Sequence, residues 1–261
     1  MIRIYQRRLE IKEKLRDRKK VFAAWTSLGH SSITEIFTRS GFDFVGLDLE
    51  HTTISQEQSQ RIIAACHSEG TLCLPRIASH NMEMVKRLLD SGADGIIIPL
   101  VSTTQEVDQI ISWCKYPPLG KRSFGIARAQ GYGFDFGEYV ANWNESSIII
   151  IQIESIQGVD NSDILLNYHD VDGVMIGPYD LSGSLGIPGK LDDPEVKKAE
   201  NKVIEACVKY GKACGTHVVD ANLENAETAF SRGYTFAVFS SDIFILWKWS
   251  ETVNGIIKRL R

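Results

Sequence analysis

Short runs of β-branched and apolar residues alternate with longer helical patterns along almost the whole chain. That alternation constrains the fold more than any other feature. Strands are expected at Val21–Thr26, Phe44–Asp48, Leu72–Ile77, Gly95–Val101, Ile148–Glu154, Gly173–Gly177, Ala213–Val218 and Phe236–Ser240. Several are apolar at every position, as in Ile96-Ile97-Ile98 and Ile148-Ile149-Ile150-Ile151. Strands buried on both faces of a parallel sheet read this way. Gln56–Glu69, Asn81–Ser91, Pro194–Tyr210 and Asn222–Ser231 have helical spacing, each with one apolar face. Eight strand–helix units in 261 residues predict a (β/α)8, or TIM, barrel as a single domain over residues 1–261. A doubly wound open sheet is the competing architecture. It usually carries a glycine-rich loop after an early strand, and no GxGxxG stands there. The aromatic-rich stretch Tyr116–Asn144, with Pro117-Pro118, breaks the rhythm and reads as a long insertion. No clear internal repeat is visible.

Composition narrows the function. A net charge of -4 argues against a nucleic-acid binder, which needs Lys and Arg in excess on one face. No apolar run approaches the roughly 18–20 residues of a membrane span. The segment Met1–Lys20 is rich in Arg, Lys and Glu and lacks the apolar centre of a signal peptide. Ile4, Leu9, Ile11 and Leu15 give it a loosely amphipathic helical face, suited to a lid under a domain or to a subunit contact. The five cysteines (Cys66, Cys73, Cys114, Cys207 and Cys214) show no CxxC spacing. Reduced, mostly buried thiols in a cytoplasmic protein are the expectation.

Barrel chemistry sits at the C-terminal ends of strands. Reactive residues collect there: Asp48-Leu49-Glu50-His51, Arg76, Gln152-Ile153-Glu154, Gly177-Pro178-Tyr179-Asp180, His217, and Ser240-Ser241-Asp242. A carboxylate ending an apolar strand is costly unless paired, and a bound cation would resolve that cost. Glu154 and Asp180, with no thiol beside them, suit a hard divalent ion; helix caps or partners of Arg76 are the plainer alternative. His51 reads as a base or as a hydrogen-bonded structural group. Arg76 reads as an ion-pair partner or as a fork for a carboxylate or developing oxyanion.

These residues carry a resemblance. Phe42-Asp43-Phe44-Val45-Gly46-Leu47-Asp48-Leu49-Glu50-His51 is similar to the first signature of the HpcH/HpaI family of class II, metal-dependent 2-oxo-acid aldolases. Lys86-Arg87-Leu88-Leu89-Asp90-Ser91-Gly92-Ala93-Asp94-Gly95, with Pro99 and Val101, resembles the second. Tyr116-Pro117-Pro118, Gly120, Arg122, Ala127-Arg128-Ala129 and Tyr132-Gly133 resemble the third. Gln152-Ile153-Glu154 and Ile176-Gly177-Pro178-Tyr179-Asp180-Leu181-Ser182 resemble the fourth and fifth. The similarity spans about Val21 to Asp242.

The resemblance implies roles. Glu154 and Asp180 match the metal ligands, for Mg2+, Mn2+ or Co2+. His51 matches the general base, Asp90 the acid that raises its basicity, and Arg76 the transition-state stabiliser. Gln152 matches a substrate contact, and Tyr179 a position whose backbone binds the 2-oxo acid in a loop shaped by Gly177 and Pro178. Asp48 orients metal-bound water. The implied reaction cleaves or forms the C3–C4 bond of a 4-hydroxy-2-oxo acid through a metal-stabilised enolate, giving pyruvate or a relative plus an aldehyde. No lysine sits at an expected strand end, which disfavours a Schiff-base aldolase. The alternative is a related carbon–carbon enzyme: a CoA-ester lyase, an oxaloacetate decarboxylase or a condensing enzyme.

The chain departs from the family pattern at Ile77-Ala78-Ser79, Ser123-Phe124, Tyr179 and His217. His217 stands on the aldehyde side and would favour a polar aldehyde. The resemblance also implies a homohexamer built as a trimer of dimers. The apolar segment Phe244-Ile245-Leu246-Trp247-Lys248-Trp249 either packs on its own barrel or is exchanged between subunits.

Overall fold

The computed structural model describes residues 2–261. Eight parallel strands close into a barrel in sequential order. They are β1 (Val21–Thr26), β2 (Phe44–Asp48), β3 (Leu72–Arg76), β4 (Gly95–Ile98), β5 (Ile148–Ile153), β6 (Gly173–Ile176), β7 (Ala213–Val218) and β8 (Phe236–Phe239). β8 pairs with β1 through Val21 and Phe236, which closes the ring. The helices are α1 (Ile2–Arg16), α2 (Ser31–Thr38), α3 (Gln56–Ser68), α4 (Met82–Asp90), α5 (Thr104–Cys114), α6 (Phe136–Ser146), α7 (Ile156–Asp160), α8 (Ser162–Leu166), α9 (Pro178–Ser184), α10 (Pro194–Tyr210), α11 (Leu223–Ser231) and α12 (Asp242–Leu260). A short 3-10 turn spans Arg128–Gly133. Among the described residues, no helix is long and apolar enough to cross a membrane.

The expected strands lie where the apolar runs placed them, though several stop one to three residues early. Tyr116–Asn144 is an insertion in the strand–helix alternation: after α5 the chain adds the 3-10 turn and α6 before it enters β5. The inserted segment is packed, with Tyr116, Tyr139 and Trp143 buried in the core. The aromatics there are packing, with Tyr139 stacked on Trp143 at 5.1 Å between ring centroids.

Two apolar layers hold the barrel. Outward-facing residues such as Val45, Ile96, Ile98, Ile149 and Ile151 pack under the helices. Inward-facing Ala23, Trp25, Phe44, Leu72, Leu74, Ile97, Ile150, Met175 and Phe236 fill the lumen. Ile11 and Leu15 of α1 join that inner layer from below, so α1 closes the N-terminal mouth as a lid.

The lid is charged as well as apolar. Asp43, Asp94, Asp172 and Thr235 each stand just before an even-numbered strand. Their side chains accept backbone N–H groups of Phe22, Cys73, Ile149 and Cys214 on the preceding strands, at 2.9–3.0 Å. This is a four-fold repeat carried by one residue per unit, too sparse to be visible as sequence similarity. α1 supplies the counter-charges. Arg7 and Lys14 pair with Asp43, Arg8 with Asp94, and Lys12 and Arg16 with Asp172. Lys115 is buried beside this layer and donates to Asn144 O and Ser147 Oγ at 2.7 and 2.9 Å.

Burial pushes the Lys115 ammonium down to about 8, with Lys12 adding repulsion. Its pKa in the folded chain therefore lies below its unfolded value, and the folded state sheds the proton first as pH rises. Below pH 8 the lysine contributes no pH dependence; between about pH 8 and 10.5 it adds stability with rising pH, approaching about 3 kcal/mol. Urea unfolding of wild type and Lys115→Met across that range should show the difference moving in favour of wild type. A pH-independent difference would contradict the assignment.

Candidate active site

The C-terminal mouth carries the opposite imbalance. Asp48 and Glu50 pair with one arginine, Arg76; Glu154 lies within its field, and Asp180 within that of Glu154. Arg76 ends β3, where its Nε and Nη2 donate to Asp48 Oδ1 at 3.1 and 2.9 Å. Its Nη1 lies 3.1 Å from Glu50 Oε2, and its guanidinium sits 5.0 Å from the Trp25 ring centroid. Asp48 also receives the N–H groups of Glu50 and His51, so it fixes both the arginine and the turn that carries the histidine. His51 itself is exposed on the rim, 3.7 Å from Glu50 through Nε2.

Glu154 follows β5 and is buried. Its Oε1 accepts the Leu100 N–H at 2.7 Å, and its Oε2 accepts the Gln152 amide. Leu100 is a non-glycine residue in the left-handed region, at φ 57°. That strained backbone turns its N–H onto Glu154, and such strain is found where the surroundings require it. Ser240, at the end of β8, is likewise left-handed at φ 57°, and its carbonyl accepts His217 Nε2 at 3.0 Å. Neither leucine nor serine announces such a conformation in sequence.

Burial raises the Glu154 carboxyl above its ordinary range, and Asp180 pushes it further the same way. Burial raises Glu50 too, with Glu154 adding repulsion against the pull of Arg76. Gln152 Oε1 is buried without a hydrogen-bond partner, and Glu50 Oε2 is held by its ion pair with Arg76. Four carboxylates, one arginine and an orphaned amide oxygen make an environment that favours a cation. Among the described residues, no group of three or more His, Cys, Asp or Glu side chains is placed to hold a metal. The chain thus offers two carboxylates, and an all-oxygen donor pair suits a hard divalent ion completed by water and substrate. Glu154 and Asp180 fit that role.

Glycine 177 is required beside Glu154. It N-caps α9, and a Cβ there would collide with Glu154 Oε2 and press on Gln152 Nε2 at 3.1 Å. Pro178 then starts α9 at a position where no N–H is needed, and Tyr179 and Asp180 follow in its exposed first turn. His217 ends β7 beside Trp25 and Phe244, with ring centroids at 6.1 and 5.9 Å. Burial lowers its pKa, so it stands as a neutral imidazole at neutral pH.

The structure joins Asp48 to Arg76, and Gln152 and Gly177 to Glu154; the charge of Arg76 reaches Glu154, and His217 joins through Trp25. It does not join Asp90 to His51. Asp90 ends α4 and pairs with the buried Arg122 at 2.9 Å. Glu50 is the residue that the sequence reading left without a role. Its position two residues after Asp48, within the first signature, was the available signal.

Comparison with known proteins places this arrangement. The family model described as HpcH/HpaI aldolase/citrate lyase matches residues 22–247. The chain belongs to the HpcH/HpaI aldolase/citrate lyase family. It is an enzyme, a lyase of carbon–carbon bonds, and class II aldolases of this family depend on a divalent metal ion. A 2-keto-3-deoxy-L-rhamnonate aldolase of Salmonella gallinarum (strain 287/91 / NCTC 13346) is 33% identical over 240 residues, covering 90% of this chain and 87% of that protein. The crystal structure of an HpcH/HpaI aldolase from Desulfitobacterium hafniense DCB-2 superimposes with a TM-score of 0.87 at 29% identity, covering 96% of this chain and 97% of that one. The citrate synthase SbnG superimposes with a TM-score of 0.82 at 25% identity, covering 96% and 98%.

Gly177→Ala tests the crowding at Glu154. The φ of -97° accepts alanine, so the fold should survive while activity falls by about 100-fold or more. Full activity in a correctly folded variant, by circular dichroism and steady-state kinetics, would overturn the packing argument.

Proposed function

We propose that this chain is a divalent-metal-dependent aldolase that cleaves or forms the C3–C4 bond of a 4-hydroxy-2-oxo acid. The products of cleavage are pyruvate, or a close 2-oxo relative, and an aldehyde. The observation that carries this reading is the excess of carboxylates over cations around Arg76, with Glu154 buried. A 2-keto-3-deoxy acid, the compound named for the Salmonella relative, carries a 2-oxo group and its first hydroxyl on C4, which is the required substrate pattern.

In this reading Glu154 and Asp180 hold Mg2+, Mn2+ or Co2+. When bound, such an ion supplies Lewis acidity toward the carboxylate and 2-oxo oxygens of a 2-oxo acid. Arg76 keeps N–H groups beyond those given to Asp48 and Glu50, and they face negative charge growing on the 2-oxo oxygen. Asp48 and Trp25 hold the guanidinium still. His51, on the rim, takes the proton from the C4 hydroxyl, directly or through one water. The free Gln152 Oε1 accepts from a substrate or water hydroxyl. The Gly177-Pro178-Tyr179 turn brings backbone close to the 2-oxo acid. With Nε2 donating to Ser240, His217 presents Nδ1 as an acceptor for a hydroxyl on the aldehyde side. Asp90 serves a histidine only across a subunit boundary, because Arg122 takes its carboxylate within the chain.

The reading includes one barrel domain acting in the cytoplasm, consistent with five buried, unpaired cysteines. It also includes a homohexamer, a trimer of dimers with α12 exchanged. α12 carries Ile245, Leu246, Trp247, Trp249, Ile256, Ile257 and Leu260 exposed to solvent. In a (β/α)8 barrel the last helix packs between the helices after β7 and β1. Here that place holds an apolar groove of about 530 Å³ lined by Phe22, Leu223, Ala226, Phe230 and Phe239. An uncovered apolar helix and an unfilled groove in one chain are the two halves of an exchange.

A lactate dehydrogenase-coupled assay with a 4-hydroxy-2-oxo acid bearing a polyol tail tests the reaction. Pyruvate release should stop in EDTA, return with Mn2+, and fall by about 10²–10⁴-fold in His51→Ala. Undiminished release from Glu154→Gln or Asp180→Asn would sink the proposal. His217→Leu should shift preference toward apolar aldehydes; an unchanged preference removes His217 from the specificity argument. Light scattering should report six chains for wild type, with loss of the hexamer when α12 is deleted. A monomeric wild type would contradict the exchange.

A further inference from the structure

A second cavity, of about 320 Å³, opens on the flank of the barrel near the N-terminal mouth. It is lined by Ile4 and Arg8 of α1, His67 of α3, Gly92, and Arg128, Tyr132 and Tyr139 beyond β4. Its charge is cationic. Arg8 is buried, shares Asp94 at 3.4 Å, and leaves its Nε without a hydrogen-bond partner. Asp94 is further occupied by His67 Nε2 at 2.9 Å and by the Cys73 N–H. Arg128 has no carboxylate partner among the described residues. Its Nη1 donates to Ser91 O at 3.1 Å and lies 3.3 Å from His67 Nδ1.

The backbone is shaped around that guanidinium. Gly92 lies at φ 103°, and a Cβ there would strike Arg128 Nη1. Tyr132, a non-glycine residue at φ 55°, is left-handed and faces the same space. A half-buried arginine without a counter-ion, a buried arginine with an unused donor, and a strained tyrosine around a void form a built site rather than a packing defect. A volume near 300 Å³ accepts a small organic molecule. The strands separate this cavity from Arg76, since Asp94 precedes β4 and Arg76 ends β3.

We propose that this cavity binds a small oxyanion, a sugar-sized organic acid carried as a carboxylate or a phosphate monoester, with Arg128 as its charge partner. A guanidinium fork matches either group in two parallel hydrogen bonds, and the remaining lining offers tyrosine faces and Ile4 to a carbon chain. Within one chain the site is separate from the catalytic mouth.

Calorimetric titration of the metal-loaded enzyme with inorganic phosphate, and separately with gluconate, tests this at constant ionic strength. The tighter of the two identifies phosphate or carboxylate as the recognised group. Binding should survive Arg76→Ala, which removes the anion contact of the catalytic mouth. It should weaken by about ten-fold or more in Arg128→Leu and in Ile4→Glu, which sets a like charge at the lip without touching the core. If Arg128→Leu fails to fold, Ile4→Glu carries the test. No heat from either probe up to about 20 mM, or binding lost in Arg76→Ala yet intact in Ile4→Glu, would overturn the proposal.

Discussion

A closed barrel whose lumen is filled by Trp25, Leu74, Ile97, Ile150 and Phe236 has no interior place for charge. Charged groups are confined to its two mouths, and each mouth must find its own neutralisation. The acids of the N-terminal mouth are neutralised by the chain itself. Asp43, Asp94 and Asp172 tie neighbouring strands together through backbone N–H groups, and the cations of α1 cover them. The C-terminal mouth is left with Asp48, Glu50, Glu154 and Asp180 against Arg76. A fold that stabilises one end so fully and leaves the other short of positive charge has reserved that end for something it must bind.

The same contrast explains the local strain. Both left-handed non-glycine residues at strand ends, Leu100 and Ser240, aim a backbone group at a side chain of the catalytic mouth. Asp242, the first residue of α12, holds the β1–α2 loop through Thr26 Oγ1 and the Ser27 and Leu28 N–H groups at 2.9–3.1 Å. The rim around His217 is therefore anchored from β8 even though much of α12 is exposed. Rigid support beneath an exposed His51 is the division of labour expected of a barrel enzyme, where strands fix the site and loops meet the substrate.

Much of this was legible in the sequence, for physical reasons. Short apolar runs dominated by β-branched residues, such as Ile96–Ile98 and Ile148–Ile151, read as strands buried on both faces, and eight of them alternating with helical patterns pointed to the barrel. The carboxylates and Arg76 stood out because charge at the end of such a run is expensive. What was not legible depends on three-dimensional partners. The pairing of Asp90 with Arg122, the orphaned Gln152 oxygen and the left-handed Leu100 leave no local mark. The insertion at Tyr116–Asn144 was legible as a break in rhythm, while its packing was not: Tyr139 and Trp143 form the core face of α6.

The central claim is that the C-terminal mouth, with its cation, makes the methyl group of a bound 2-oxo acid acidic. Proton NMR of pyruvate in D2O with the enzyme tests it without knowledge of the aldehyde. The account predicts loss of the methyl signal with Mg2+, Mn2+ or Co2+, none after EDTA, and marked slowing in His51→Ala and Arg76→Ala. A methyl signal that persists with all three metals and active, folded protein would contradict it.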